Sequence, residues 1–262
     1  MYRIYISTFG KKVINIRYSM PIEVGASNRQ IFLYPLRDNT GDNISSENPY
    51  YGELTGLYWV WKNGKVKEGD IIGFCHYNKG LNISRRKVEK WLKKEPCGMI
   101  TLKPSKIRNH PVPEECKAIF EILYNTNISY YETCCKLYDE EFASKYPNCR
   151  GGNMLICTGS TFNAYCSWLF PILAEMRRNI GDKLDVNLYW RRYCAYMGER
   201  LLSVYIETNH LPVLSVNVKL KSWWIPVLGV LRKSLGISKN NKIYKLLYSK
   251  LGYHSSYKKN GK

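Results

Sequence analysis

Nine cysteines are present in this 262-residue chain, but no Cys-x-x-Cys pair, and zinc-ribbon and thioredoxin-type chemistry are excluded with it. Cys134 and Cys135 are adjacent, which is poor geometry for chelating one metal, and the odd count argues against a disulfide framework. Walker A, Gly-x-Gly-x-x-Gly, His-Glu-x-x-His and Gly-x-Ser-x-Gly patterns are all missing, as is the kinase set, so many nucleotide, protease and esterase classes drop out. No Asp-x-Asp pair occurs anywhere. No apolar run approaches the roughly 20 residues that span a bilayer. The first residues, Tyr2-Arg3-Ile4-Tyr5-Ile6-Ser7, alternate like a strand and lack the apolar region of a secretory signal. Acid is missing from the far end: after Glu207 there is no Asp or Glu.

The remaining composition is that of a folded protein. Hydrophobic residues make up 45% and aromatics 14%, enough for a core in one domain of this length. Tyr alone occurs 22 times and suits stacking on rings. The cysteines are expected to be reduced and mostly buried, as in a cytosolic protein. Of the +19 net charge, eleven Lys and Arg lie in residues 208–262, leaving +8 for residues 1–207. A basic tail of that kind suits an anionic membrane or nucleic acid. Within it, Lys239 to Leu251 places Ile243, Leu246, Leu247 and Leu251 on one face and Lys242, Lys245 and Ser249 on the other, beyond Trp223-Trp224. That pattern fits a helix lying in a membrane interface or a C-terminal helix docked on the core. No RNA-binding motif accompanies the charge, so a nucleic-acid partner is not expected.

Strands are expected at residues 2–7, 31–34, 71–75, 99–102 and 153–157, with a last one following Leu201–Ile206. Helices are expected from Asn48, as N-cap with Pro49 first in the helix, to about Lys62, and at 84–94, 113–145, 161–178 and 184–203. Phe162, Tyr165, Leu169, Leu173 and Met176 keep a helical period through Pro171. Alternating strands and helices argue for an α/β domain with a mixed or parallel sheet, whose ligands sit beyond the carboxyl ends of the strands.

Four segments carry chemistry. The loop Asp38-Asn39-Thr40-Gly41-Asp42-Asn43-Ile44-Ser45 is rich in hydrogen-bonding groups, and the aromatic helix Glu53-Leu54-Thr55-Gly56-Leu57-Tyr58-Trp59-Val60-Trp61-Lys62-Asn63 follows it. Its two acids can hold a cation or sugar hydroxyls, or the loop is a turn held by Asx-type bonds; spacing alone leaves the two readings level. His76 and Tyr77 emerge at the end of a buried strand, with Lys79 close behind, and can meet phosphate oxygens or serve structure. Arg150-Gly151-Gly152-Asn153 allows close backbone approach to a ligand, or is an ordinary turn. Glu199, near Arg192 and Arg200, is a general base or half of an ion pair.

These residues resemble one bacterial family, encoded among capsular-polysaccharide, exopolysaccharide and O-antigen genes and long catalogued as a domain of unknown function. The resemblance rests on Asp38 to Ser45, Glu53 to Asn63, Gly73 to Tyr77, Asn153-Met154, Tyr165 to Phe170 and the Glu-Arg-Leu helix end within Tyr196 to Leu201, and covers roughly residues 1–210. It implies a GT-A-like, Rossmann-type mixed sheet flanked by helices. It also implies a hexosyltransferase moving sugar from a nucleoside diphosphate sugar, a UDP-sugar foremost, to a polyprenyl-diphosphate-linked glycan at the cytoplasmic membrane face. The alternative is a non-catalytic sugar- or membrane-binding module of the same pathway. The family commonly continues its His-Tyr with Arg-Arg-Tyr-Phe; here the chain reads Asn78-Lys79-Gly80-Leu81, so Lys79, Lys11 or Lys12 is left to meet the diphosphate.

On this reading Asp38, Asn39, Gly41, Asp42 and Asn43 bind the donor or a metal, Mn²⁺ or Mg²⁺, with Asp42 also placed among the catalytic residues. Glu53, Tyr58 and Lys62 line the same pocket. His76, Tyr77 and Lys79 face the diphosphate, and Asn153 lies beside them. Glu199, held by Arg192 or Arg200, is the acceptor-side base. Residues 1–215 form the transferase domain and 216–262 a basic, membrane-associated tail.

Overall fold

The computed structural model describes residues 1–106, 148–150, 152–182, 191–220 and 234. A mixed sheet forms its centre, in the order β2–β1–β3–β8–β5–β9. The strands are β1 (Tyr2–Thr8), β2 (Ser19–Glu23), β3 (Ile71–His76), β5 (Met99–Leu102), β8 (Leu155–Thr158) and β9 (Val213–Val216). β1 pairs in parallel with β2 and β3, and β5 with β9, while β8 runs antiparallel between β3 and β5. A short hairpin strand, β4 (Lys79–Leu81), turns back from His76 and pairs with β10 (Val218–Leu220). A separate two-residue pair joins β6 (Ser105–Lys106) to β7 (Asn148–Cys149).

Period-two alternation sorts side chains onto two faces. Tyr5, Ile22, Ile72, Phe74, Met99, Leu155 and Cys157 join one core, and Ile4, Ile6, Cys75, Ile100, Met154 and Ile156 the other. Helices α1 (Asn48–Tyr51), α2 (Leu54–Asn63), α4 (Gly159–Ile180) and α5 (Tyr193–Thr208) contribute to the first core. α3 (Arg85–Lys94) covers the second through Val88 and Leu92. Ser84 caps α3 and Thr158 caps α4, each accepting from the backbone N–H three residues on. The helical period read into residues 161–178 is present: Phe162, Tyr165, Leu169, Leu173 and Met176 are all buried, with Pro171 on the exposed side. Cys75, Cys157, Cys166 and Cys194 are free and buried, and Cys97 is free and exposed.

Several expectations are corrected. Residues 31–34 form no strand; Ile31 and Leu33 stand in solvent, so the apolar run lacks a sheet neighbour. The second strand is instead Ser-Met-Pro-Ile-Glu, whose Pro21 is tolerable because β2 pairs only with β1. Leu201–Ile206 lies within α5, where Leu201, Leu202, Val204 and Tyr205 are buried at helical spacing, and the strand expected to follow it is β9, beginning at Val213. Asn48 is the first residue of α1 rather than its cap, with Glu47 in the cap position. The sheet runs on to Leu220, past the expected boundary at residue 215. The helix expected at 113–145, the start of the one at 184–203, and the tail segment 223–251 apart from residue 234 lie outside the described residues.

The single helix expected from Asn48 to Lys62 is two, broken at Gly52. The Asn48 amide donates to the Gly52 carbonyl at 2.6 Å and to Thr55 Oγ1 at 3.0 Å, closing the turn. Gly52 takes φ 54° and ψ −131°, a region open essentially to glycine, and a Cβ there would run into the Arg192 guanidinium. Gly52→Ala is therefore expected to lower unfolding free energy by about 2 kcal/mol in urea titration and to push Arg192 out of place.

Candidate active site

The loop at residues 38–45 is built onto α2, and the two signature segments bind each other. Backbone bonds between Glu23 and residues 36–38 lay the chain alongside β2 and deliver Asp38 to the interior. Its carboxylate accepts four hydrogen bonds: from the N–H groups of Gly25 (2.8 Å) and Ala26 (3.0 Å), and from the hydroxyls of Ser45 (2.5 Å) and Thr55 (2.6 Å). Further along, Trp59 Nε1 donates to the Thr40 carbonyl at 2.9 Å, Asn63 to the Asp42 carbonyl at 2.7 Å, and the Tyr58 hydroxyl to Asp42 Oδ1 at 3.0 Å. Gly41, at φ 58°, lies where a Cβ would strike Asn63. Asn43 closes the loop on itself, donating to the Gly41 carbonyl and accepting from Ser45 N–H. The aromatics of α2 serve this docking and the core: Trp61 stacks on Phe170, and Lys62 sits 3.8 Å over the Trp61 ring.

A second constellation forms at the carboxyl end of β3. The β3–β8 register sets Phe74 against Leu155, so two further steps bring His76 opposite Asn153, where the β8 chain turns away. Gly152 and Asn153 make that turn at φ 84° and 49°. The turn aims the Gly152 carbonyl at His76 Nε2, and the Gly152 N–H donates to Glu199 Oε1 at 2.7 Å. A Cβ at Gly152 would lie 2.9 Å from the flexible end of Lys79 and 3.3 Å from His76 Nε2, and the left-handed φ of 84° is what favours glycine at this turn. Behind it, Glu53 at the start of α2 accepts from Asn153 Nδ2 at 2.7 Å and from Arg192 at 3.4 Å, with His76 Nε2 at 3.9 Å.

The electrostatics divide this cluster. Burial pushes the His76 imidazole down to about 4, outweighing the pull of Glu53, and nearby Lys79 adds to the shift. His76 is thus neutral and donates its Nε2 proton to the Gly152 carbonyl. For Glu53, burial alone would raise the carboxyl; His76, Arg192 and the Asn153 amide outweigh it and hold the group below its ordinary value. For Glu199, burial and the neighbouring Glu53 carboxylate prevail over Lys79, the Gly152 N–H and Arg200, and its pKa is raised. One carboxylate is held charged while its neighbour is primed to carry or take a proton.

Glu53, His76, Lys79, Asn153 and Glu199 therefore meet around Gly152, and Arg192 reaches them through Glu53 rather than Glu199. Arg200 donates to the Tyr196 carbonyl and acts on Glu199 through its charge. Asp42, Tyr58 and Lys62 form a separate group: Tyr58 lies about 8 Å along α2 from Glu53 and roughly 140° around it. Asp38 is wholly enclosed, whereas Asn39, Gly41 and Asp42 are exposed. Tyr77 gives its carbonyl to Ile14 N–H, and burial raises its phenol. Sequence reading missed the roles of Thr55 and of Glu23. Glu23 is a buried carboxylate that accepts from the Gly10 and Leu33 N–H groups and from Arg29. An acid following Ile22 at the end of an apolar strand is its only sequence signal. Among the described residues no group of three or more His, Cys, Asp or Glu is arranged to hold a metal, and no helix is long and apolar enough to cross a membrane.

Residues 3–210 match the family described as "Domain of unknown function (DUF4422)", and the chain belongs to that family. No curated protein matches. Among solved structures, the fold is similar to that of the WbbM bifunctional glycosyltransferase in its apo form, with a TM-score of 0.66 and 22% identity. The match covers 84% of this chain and 45% of that one, so this chain spans under half of WbbM's length. The GT-A-like mixed sheet flanked by helices, implied by the sequence resemblance, is the fold observed.

Two outcomes are expected from this geometry. Asp38→Ala takes the shared acceptor from four donors, of which the Thr55 hydroxyl keeps the Gly52 carbonyl at 3.1 Å, and is expected to lower unfolding free energy by about 3 kcal/mol in urea titration. The His76 ring should stay neutral from pH 7 down to about 5 and titrate near 4, followed by ¹⁵N-edited NMR of the imidazole. Because the folded state binds the proton less readily, His76's contribution to stability is full above about 6.5 and is lost as pH falls towards 4. The difference in stability between wild type and His76→Gln should narrow over that window.

Proposed function

We propose that the chain is a nucleotide-sugar-dependent glycosyltransferase. It moves a hexosyl group from a nucleoside diphosphate sugar, a UDP-sugar foremost, to a polyprenyl-diphosphate-linked oligosaccharide in bacterial surface-polysaccharide synthesis. The observation that carries the reading is the convergence of His76, Lys79, Glu53 and Glu199 on the Gly152 turn, beyond the carboxyl end of β3. The similarity in fold to WbbM and the family membership support it.

In such a transfer the sugar C1–O bond to the diphosphate breaks and the electron pair leaves with the nucleoside diphosphate. The acceptor oxygen bonds to C1 and gives up its proton. Lys79 supplies positive charge for the leaving diphosphate, with Lys11 and Lys12 following β1 at the same end of the sheet. Glu199, whose pKa is raised, takes the acceptor proton. Glu53 keeps its charge and, through Asn153 and Arg192, fixes the corner in which Glu199 works. Asp42 is the carboxylate of residues 38–45 open to a donor hydroxyl or to Mn²⁺ or Mg²⁺, next to Tyr58 and Lys62. The described side chains form no ready cage for such an ion. The basic tail holds the enzyme at the cytoplasmic face of the membrane, where the lipid-linked acceptor lies.

A thermal-shift screen of purified protein against nucleotide sugars, with and without Mn²⁺, is expected to select a UDP-sugar, and turnover should follow with the lipid-linked acceptor. Glu199→Gln should bind that donor normally and lose transfer by about 10²- to 10³-fold. In wild type, the rate should rise with pH through a value above the usual carboxylate range. Full activity in Glu199→Gln would remove its role as base, and sugar binding without any turnover would favour the non-catalytic module.

A further inference from the structure

The segment between β2 and Asp38 exposes more apolar surface than a loop needs. Ile31 is 83% exposed and Leu33 52%, the two most exposed large aliphatic side chains among the described residues apart from Met1. Isolated exposed aliphatics are common on soluble proteins. These two sit on a loop fastened from behind. The buried Glu23 carboxylate holds the Leu33 N–H at 2.8 Å and the Arg29 guanidinium at 2.8 Å, and the Tyr34 hydroxyl accepts from Val13 N–H at 3.1 Å. The apolar tip is therefore presented by a braced backbone.

What surrounds the tip is cationic. The guanidinium carbon of the exposed Arg37 lies 4.1 Å from the Phe32 ring centroid, which holds a positive charge beside the aliphatics, while Arg29, 5.3 Å from the same ring, is neutralised by its pair with Glu23. Lys12, exposed, is next to the Val13 that Tyr34 holds. Residues 29–37 contain no acid, and the nearby Glu23 carboxylate is buried and fully engaged. Aliphatic tips flanked by Arg37 and Lys12 match the chemistry of an anionic bilayer, with acyl chains for Ile31 and Leu33 and headgroup phosphates for the two cations. A soluble anion would use the cations and leave the aliphatics in water.

We infer that the loop of residues 29–37 is a membrane-contact element that inserts Ile31 and Leu33 into the interface of an anionic bilayer, separately from the basic tail. β1, β2 and β3 run in parallel, so this loop leaves the sheet at the same end as His76 and the Gly152 turn. Docking there sets the candidate active site close to the membrane plane. The contact itself does not depend on the transferase reading, and its test uses no activity.

Full-length protein is incubated with vesicles of phosphatidylglycerol and phosphatidylcholine, with phosphatidylcholine alone, or with inorganic phosphate, and hydrogen exchange is followed by mass spectrometry. Amides of residues 29–36 are expected to slow only with the anionic vesicles. Ile31→Asp with Leu33→Asp should abolish that local protection and weaken vesicle sedimentation about tenfold, with an unchanged thermal midpoint, because both side chains are already in water. The proposal is overturned if 29–36 exchange equally fast while the protein sediments with the vesicles, if inorganic phosphate gives the same protection, or if the protein does not bind the vesicles.

Discussion

One buried carboxylate organises the part of this molecule where chemistry is proposed. Asp38 draws together two backbone N–H groups from the turn after β2, a hydroxyl from its own loop and a hydroxyl from α2. No one of these segments has regular structure strong enough to place the others. The turn at Gly25–Asn28 is a single 3₁₀ turn, residues 38–45 are mostly irregular, and α2 begins after a chain reversal at Gly52. A buried carboxylate must find donors, and here each donor comes from a segment that otherwise would be free to drift. Because Thr55 is tied to Asp38 two residues after Glu53, the same interaction sets where the Glu53 carboxylate enters the cluster with His76.

That dependence explains why the most distinctive stretch of the sequence reads in two ways. A loop dense in Asp, Asn, Thr and Ser followed by a helix dense in Tyr and Trp has the composition of a ligand pocket. It is equally the composition of two segments that satisfy each other: Trp59 with Thr40, Asn63 with Asp42, Thr55 with Asp38. Spacing cannot separate the readings, because both require polar groups and flat rings at close range. Only partner distances do so, and they turn Asp38 inward while leaving Asp42 at the surface.

The regular parts of the fold were legible where side-chain periodicity and burial coincide. The runs at 71–75 and 99–102 and the stripe from Phe162 to Met176 bury the residues that their patterns mark. Legibility failed where an apolar run had no neighbour to cover it, as at Ile31–Leu33, and where an edge position made proline harmless, as in β2. It failed at residues 48–62, where a positive-φ glycine, Gly52, splits one apolar, helix-period stretch into two helices. In the candidate site, His76, Lys79, Asn153 and Glu199 were identifiable one by one from their chemistry and positions. Their convergence was not, because it depends on a register that carries His76 opposite Asn153 and on the left-handed turn that Gly152 makes between Glu199 and His76.

The division of labour between the two glutamates follows from the same corner. Both are shielded from water, and two neighbouring carboxylates cannot both be charged cheaply in such a place. Arg192 and the Asn153 amide reach Glu53 and not Glu199, so the charge settles on Glu53. Glu199 is left with a backbone N–H, the more distant help of Lys79 and Arg200, and the repulsion of Glu53. A carboxylate in that position has a raised affinity for a proton, which is what a base acting on a sugar hydroxyl requires. Gly52 matters to the chemistry for this reason: by leaving space for the Arg192 guanidinium, it lets Glu53 stay charged and keeps Glu199 basic.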